Sequence, residues 1–175
     1  MTFTIEEVNQ MNREQFVESV GWVFEHSPWV AERAWPARPF ASLEQLTSVM
    51  EEAVKQSSSD ERLALLRSHP DLATKLKMTE ASVGEQRSAG LHELSTEEFE
   101  RLTAGIRAYR GKFGFPFIMA VRDQNRVSIE AALNKRLDGS LEDEKLTALQ
   151  EVFKIVSFRL SDLILKPDEA GRPQP

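Results

Sequence analysis

His69 combines a side chain suited to proton transfer with a position where the backbone is constrained. Pro70 follows it directly, and a residue before proline is driven out of the helical region, so we expect His69 just beyond the end of a helix. An imidazole titrates near neutral pH, and loops held by rigid helices often carry catalytic groups. A histidine at this position can equally cap the last carbonyls of the helix. The local sequence leaves both roles open.

Three side chains that form hydrogen bonds share one face of a short predicted helix. Ser82, Glu85 and Gln86 stand at i, i+3 and i+4, and the small residue Ala89 follows at i+7. These spacings place all four on one side of an α-helix. The face can line a polar pocket, or it can be an ordinary solvated surface with Ser82 as a cap.

The most apolar stretch of the chain, residues 113–121, is interrupted by Gly114 and Pro116. Its side chains favour burial, whereas these two residues disfavour a regular helix. Buried irregular backbone leaves N–H and C=O groups in need of partners, and a polar ligand can supply them. A buried connection between helices or a short strand is the alternative, and periodicity does not decide between them.

The last predicted helix, residues 141–165, carries an apolar stripe with an arginine at its edge. The stripe consists of Leu146, Leu149, Val152, Phe153, Val156, Leu160 and Leu163. Helical geometry places Arg159 beside it, and a partly desolvated guanidinium needs an anion. The anion can be a ligand carboxylate or a structural Asp or Glu, or the side chain can extend to water. Arg122, after the apolar stretch, is a weaker candidate.

Composition narrows the classes of function. A chain of 175 residues with 41% hydrophobic and 29% charged residues is typical of one globular domain. The absence of cysteine excludes disulfides, thiolate metal sites and a cysteine nucleophile, and three histidines disfavour a multi-histidine metal centre. A net charge of −6 argues against nucleic acid as a partner. No apolar run approaches the ~20 residues that cross a bilayer, and the start lacks the basic region of a secretory signal, so we expect a cytoplasmic protein without membrane contact.

Helical periodicity recurs along the chain, whereas alternating apolar and polar runs do not. We therefore predict an all-α fold, a single compact bundle-like domain of about eight helices over residues 1–166. Residues 167–175 are rich in proline and lack large apolar side chains, which indicates a flexible tail or the start of a linker. Predicted helix starts are capped by Asn12, Ser42 with Gln45, Asp60, and Ser95 with Glu98.

Three further expectations concern less regular parts of the chain. The first helix should extend to about Ser27. The proline-rich residues 29–39 should form a short helical turn with Trp29 and Trp35 in the core. Short helices are expected over residues 79–89 and 128–137.

Four segments, taken in order, resemble one known family. They are Ser68-His-Pro-Asp-Leu-Ala73, Ser82-Val-Gly-Glu-Gln-Arg-Ser-Ala-Gly-Leu91, Phe113-Gly-Phe-Pro-Phe117 and Phe158-Arg-Leu-Ser-Asp-Leu163. Together they resemble the 2-oxo-4-hydroxy-4-carboxy-5-ureidoimidazoline (OHCU) decarboxylase family of uric acid degradation, over about Thr4 to Leu165. The resemblance implies an all-α, homodimeric carboxy-lyase that converts OHCU to (S)-allantoin and uses neither a cofactor nor a metal.

The resemblance also implies roles for individual residues. His69 matches the catalytic proton donor, and Glu85 would orient its imidazole or hold the ureido group of the substrate. The implied substrate-binding residues are Pro70, Ser82, Glu85, Gln86, Phe117, Ile118, Met119, Ala120, Val121 and Arg159, of which those from Phe117 to Val121 would act mainly through backbone groups.

Two other classes of function remain open from the residues alone. One is a non-enzymatic all-α dimerisation or adaptor domain, in which every marked residue is structural. The other is a metal-dependent hydrolase built on His69, Glu85 and a second histidine.

Related domains of this family occur fused to urate oxidase, so a urate oxidase is an expected fusion or working partner. The chain ends without the peroxisomal tripeptide of some eukaryotic members, which favours a bacterial cytoplasmic setting.

Overall fold

The computed structural model describes residues 1–72 and 95–167. Within these ranges the chain forms eight α-helices, and the only β-type pairing is a single parallel bridge between Phe3 and Ile164. The helices are α1 (Ile5–Gln10), α2 (Arg13–Val20), α3 (Trp29–Ala34), α4 (Leu43–Lys55), α5 (Ser59–Ser68), α6 (Thr96–Phe113), α7 (Arg126–Leu137) and α8 (Leu141–Leu163). Short 3₁₀ turns cover Gly21–Val23 and Trp35–Ala37. The all-α prediction is confirmed.

The described residues fall into two compact units. The first contains residues 1–62 and those from 156 onward, and the second contains those between 63 and 155. The predicted helix over 79–89 and all but the first residue of the predicted tail lie outside the described residues. In the described ranges no helix has the length and apolar character needed to cross a bilayer.

Two helices begin at the N-cap residues that the sequence predicts. Asn12 accepts a hydrogen bond from the backbone N–H of Gln15 at 2.9 Å, and the Gln15 side chain accepts one from the Asn12 N–H at 3.0 Å. Ser95 and Glu98 form the same reciprocal box at the start of α6. Each box satisfies two N–H groups that have no partner inside the helix.

The predicted caps at Asp60 and Ser42 need correction. α5 is capped by Ser58, whose hydroxyl accepts from the Glu61 N–H at 3.1 Å while the Glu61 carboxylate accepts from the Ser58 N–H at 2.9 Å. Ser42 does cap α4, since its hydroxyl accepts from the Gln45 N–H. The Gln45 side chain, however, accepts from the N–H of Ala41 and not from that of Ser42, so the predicted capping box does not form. Consecutive cap-forming residues leave the exact start of a helix undetermined by sequence.

The core of the first unit follows the predicted stripe, with corrections at its end. Phe16, Val20, Val23 and Phe24 are all fully buried, although α2 ends at Val20, well before the predicted end, and a 3₁₀ turn continues the chain. The two tryptophans predicted to be core are only half-buried. Their rings are covered by guanidinium groups, that of Arg33 over Trp29 at 4.5 Å and that of Arg38 over Trp35 at 4.0 Å. Each indole therefore packs against a cation at the surface.

The core of the second unit is centred on an aromatic cluster at the end of α6. The ring centroid of Tyr109 lies 4.6 Å from that of Phe113, 5.9 Å from that of Phe115 and 5.3 Å from that of Phe117. These are the separations at which aromatic rings attract each other in tilted and edge-on arrangements. The cluster anchors the apolar stretch where it leaves the helix.

The buried face of α8 is rotated from the predicted stripe. Leu146 is 64% exposed, and Leu149 and Phe153 are only half-buried. The buried residues are Glu144, Ala148, Glu151, Val152, Ile155, Val156, Arg159, Leu160 and Leu163. Three charged residues occupy the stripe because ion partners compensate them, and a pattern that counts only apolar residues assigns their positions to the surface.

Candidate active site

His69 lies immediately after the last residue of α5, as Pro70 predicts. Its backbone N–H donates to the Leu66 carbonyl at 3.3 Å, which closes the last turn, and the residue is only 3% exposed. Leu65 and Leu66 are buried on the same helix and hold its end against the core. The structure therefore gives His69 the protected position that a proton-transfer group requires.

A residue on each side of the His69–Pro70 dipeptide is hydrogen-bonded to the C-terminal end of α6. Arg67 donates through Nε to the Gly114 carbonyl at 3.1 Å, and Arg110 donates to the Asp71 carboxylate at 2.7 Å. Gly114 ends α6 with φ +80°, a left-handed conformation that favours glycine. The two contacts place the dipeptide beside the point where the apolar stretch begins. Sequence reasoning missed this role of Asp71, although its position in the His-Pro-Asp segment was a signal.

The stretch from Phe115 to Val121 is buried except at Met119, and it forms neither helix nor strand. The segment is a buried, irregular connection between α6 and α7, which excludes the alternative of a strand. Among the described residues, no acceptor receives a hydrogen bond from the backbone N–H groups of 117–121. Buried N–H groups are nearly always paired in folded proteins, so this row of donors is suited to a polar ligand.

A buried polar cluster supports this stretch from α6, α7 and α8. Arg136 donates to the Ile118 carbonyl at 2.6 Å, to the Glu144 carboxylate at 2.7 Å and to the Tyr109 hydroxyl at 3.2 Å. The Tyr109 hydroxyl in turn donates to Glu144 at 2.6 Å. Burial raises the pKa of Tyr109 above its ordinary value, so the hydroxyl keeps the proton that it donates. The sequence analysis did not single out this cluster, because its members are distant in sequence.

Arg159 lies within the buried face of α8, not at its edge, and is 3% exposed. In the first unit it pairs with Glu25, with 3.0 Å between nitrogen and oxygen, and donates to the Val23 carbonyl at 3.2 Å. Of the three environments considered from sequence, the structure shows the pairing with a structural carboxylate. Its contact with a substrate stays a prediction.

The remaining candidates differ in what can be said of them. Ser82, Glu85 and Gln86 lie outside the described residues, so their shared face stays a prediction. Within residues 1–72 and 95–167 there is no group of three His, Asp or Glu side chains placed to bind a metal. The second unit thus brings together His69, Pro70 and the start of the apolar stretch.

These features define a class of site before any particular family. A buried imidazole at a helix end, close to the start of a buried stretch whose backbone N–H groups have no acceptor among the described residues, suits an acid–base site on an all-helical scaffold. A proton donor and donors to developing negative charge are what such a site can supply.

Comparison with known proteins identifies the family. The family model described as OHCU decarboxylase matches residues 9–161. The chain is 46% identical over 159 residues to the 2-oxo-4-hydroxy-4-carboxy-5-ureidoimidazoline decarboxylase of Haloferax volcanii, covering 91% of this chain and 95% of that protein. The chain belongs to the OHCU decarboxylase family, whose members are carboxy-lyases.

Two further relatives place this similarity in context. The chain is 40% identical to the uric acid degradation bifunctional protein PucL of Bacillus subtilis, covering 95% of this chain but only 34% of PucL. A crystal structure of (S)-allantoin synthase matches with a TM-score of 0.77 and 32% identity, over 92% of this chain and 54% of that chain. The same kind of domain therefore occurs within longer proteins.

Proposed function

We propose that this chain decarboxylates OHCU to (S)-allantoin in uric acid degradation, with His69 as the proton donor. One observation carries the proposal: a buried histidine lies at the end of α5, residues on both sides of it are hydrogen-bonded to the end of α6, and the buried stretch that starts there has backbone N–H groups without an acceptor among the described residues. Family membership and the names of the relatives support the same substrate and reaction.

The reaction requires one bond to break and one proton to be delivered. When the bond between the ring carbon and its carboxylate breaks, CO2 leaves and the electron pair remains on that carbon, delocalised into the heterocycle. The pair is shared with the C=N bond of the neighbouring ring carbon, so His69 transfers its proton to that neighbouring carbon, which bears the ureido group. The hydroxyl proton passes to the ring nitrogen, the carbon that lost CO2 becomes a carbonyl, and His69 later regains a proton from solvent. Because His69 is fixed on one side of the substrate, the new C–H bond forms on one face, which accounts for a single enantiomer.

The amides of 117–121 supply the electrostatic part of the mechanism. As the carboxylate leaves, negative charge moves onto the oxygens and nitrogens of the ring. Backbone N–H groups that already point at this position stabilise the charge without reorganising. The surrounding apolar side chains exclude water, which strengthens these hydrogen bonds and favours release of neutral CO2.

The other assignments rest on the family resemblance. Pro70 would contact the substrate, and Ser82 and Gln86 would fix its ring. Glu85 would orient the imidazole or hold the ureido N–H groups. Arg159 would hold an anionic part of the substrate.

An optical assay tests the proposal. OHCU is generated enzymatically from urate, and the optical activity of the allantoin formed is followed with and without the purified protein. We expect His69→Ala and His69→Asn to lower the rate by at least ~10²-fold, the lower range for loss of a general acid, with unchanged far-UV circular dichroism. His26→Asn is the matched control, because His26 is exposed and has no proposed role in the reaction.

Each outcome of the assay decides a specific point. Full activity in folded His69→Ala would overturn the proposed mechanism, and loss of helix content with normal activity in the folded fraction would identify His69 as a cap. If the wild-type protein gives no enantiomeric excess in the allantoin formed, the proposed enzymatic function is wrong and the non-enzymatic adaptor domain is favoured. Activity that disappears on exhaustive chelation would favour the metal-dependent hydrolase.

The proposal extends to assembly and setting. The resemblance supports a homodimer, and in the second unit Val127 and Leu146 are 71% and 64% exposed, so a second copy could cover them. The mass in solution, measured by light scattering, tests this. We also place the chain in the cytoplasm, working downstream of a urate oxidase or fused to one, and cell fractionation of the natural host checks the compartment.

A further inference from the structure

Arg136 connects the buried polar cluster to the stretch whose amides have no acceptor in the described part of the chain. Its side chain is 9% exposed and that of Glu144 is 5% exposed, so both charges are almost fully removed from water. Each of its three guanidinium nitrogens donates to a different partner: Glu144, Ile118 and Tyr109. Only one of these partners, the Ile118 carbonyl, belongs to residues 115–121.

The guanidinium has little freedom to move. Besides these three hydrogen bonds, it lies 4.7 Å from the ring centroid of Phe117 and 5.5 Å from that of Tyr109. A planar guanidinium group that is hydrogen-bonded through three nitrogens and packed near two aromatic rings fixes the position of any group it binds. The Ile118 carbonyl is therefore held in one orientation.

A fixed carbonyl also fixes the next amide. The peptide bond between Ile118 and Met119 is trans, so its C=O and N–H lie in one plane and point in opposite directions. Since the carbonyl points at Arg136, the Met119 N–H points away from it. Met119 is the one residue of 115–121 that is not buried, and its N–H has no acceptor among the described residues.

We propose that Arg136 is a positioning residue for the decarboxylation: it orients the Ile118–Met119 peptide so that the Met119 N–H donates a hydrogen bond to the substrate. The cation also polarises the peptide, which makes that N–H a stronger donor. This inference rests on the proposed function. Arg136 does not touch the substrate, and its effect passes through one peptide bond.

Arg136→Lys and the double variant Arg136→Met with Glu144→Gln test this role. Lysine keeps the charge but loses the fork, and the double variant removes the carboxylate charge that would otherwise stay buried without its cation. We expect both to lower kcat/KM by about 10-fold or more in the folded fraction, because small misplacements of a binding group cost this much. The matched control is Leu133→Ala on the same helix, which removes a buried side chain without touching the peptide.

Kinetics separate positioning from simple support of the fold. A purely structural role predicts that all three proteins lose stability and that kcat/KM per folded molecule stays at the wild-type value. That result would overturn the proposal. Loss of kcat/KM in the Arg136 variants but not in Leu133→Ala supports it.

A binding measurement gives a second readout that does not depend on turnover. Protein labelled with ¹⁵N-methionine is titrated with (S)-allantoin, and the Met119 amide signal is assigned by comparison with Met119→Leu. We expect this signal to shift on titration of wild type and to shift less in Arg136→Lys. Wild type that is active but shows no shift at Met119 overturns the positioning role alone, whereas wild type that makes no allantoin overturns the proposed function.

Discussion

Replacing Arg159 by alanine should destabilise the protein strongly, because it breaks an ion pair that is buried. The side chains of Arg159 and Glu25 are 3% and 5% exposed, and 3.0 Å separates their charged atoms. After the replacement the Glu25 carboxylate remains in the interior without this cation, and the Val23 carbonyl loses its guanidinium donor. Removal of one partner of a buried pair costs about 3–5 kcal/mol. For a chain of this size, each kcal/mol lowers Tm by roughly 2–4 °C.

The chain contains a matched control in the same unit. Arg13 and Glu32 form a pair at 3.5 Å whose side chains are 62% and 44% exposed, and such surface pairs contribute about 0–1 kcal/mol. Arg13→Ala changes the net charge by the same amount as Arg159→Ala, so only burial distinguishes the two. Urea unfolding followed by circular dichroism gives both free energies of unfolding. Equal losses in the two variants would contradict the prediction, because the buried pair would then contribute no more than the exposed one.

The same samples address the substrate role of Arg159. Arg159→Lys keeps the charge but loses the fork, so we expect weaker binding of (S)-allantoin in calorimetric titration if the guanidinium also contacts the ligand. Unchanged affinity in Arg159→Lys and in the folded fraction of Arg159→Ala would remove this residue from the site and leave it a structural role alone.

Two further predictions concern other parts of the chain. Glu85→Gln and Gln86→Ala should lower activity in the optical assay more than they lower stability, since a face that binds a ligand gives its hydrogen bonds to the ligand. Glu80→Gln is the control. If Glu80→Gln and Glu85→Gln both leave the activity unchanged, the face is an ordinary solvated surface. Hydrogen bonding to Arg33 lowers the pKa of Glu61 to about 2, so this carboxylate stabilises the fold fully above its unfolded pKa near 4.5 and loses the contribution as the pH falls towards 2. Unfolding free energies of wild type and Glu61→Gln, measured across this range, should converge at low pH, and parallel curves would contradict the pairing.

Local sequence predicted most helix positions because capping and periodicity act over a few residues. Asn12 and Ser95 mark real helix starts, and the stripe through Phe16 and Val20 faces the core. The predictions failed where neighbours distant in sequence decide burial. Arg159 is buried because Glu25, far away in the chain, pairs with it, and no local pattern shows that partner.

The candidate site shows the same division. The proline after His69 predicts that the histidine follows a helix. The apolar but interrupted sequence of residues 113–121 predicts burial, whereas only the structure shows that 115–121 form neither helix nor strand. The sequence also carries the four segments that resemble the OHCU decarboxylase family. The family model matches residues 9–161, which contain three of these segments whole and the start of the fourth, so membership could be inferred without coordinates.

Only the tertiary structure decided which charged residues are buried and what they hold. Glu144 and Arg159 lie on the buried face of α8 because each has a partner supplied by another segment: Arg136 in one case and Glu25 in the other. A charge enters the interior only when an opposite charge and hydrogen bonds replace water, and those groups are distant in sequence. For this reason periodicity placed only part of the buried face of α8 correctly: Val152, Val156, Leu160 and Leu163 are buried, whereas Leu146, Leu149 and Phe153 are not. The support of the Ile118 carbonyl became visible only in the folded chain.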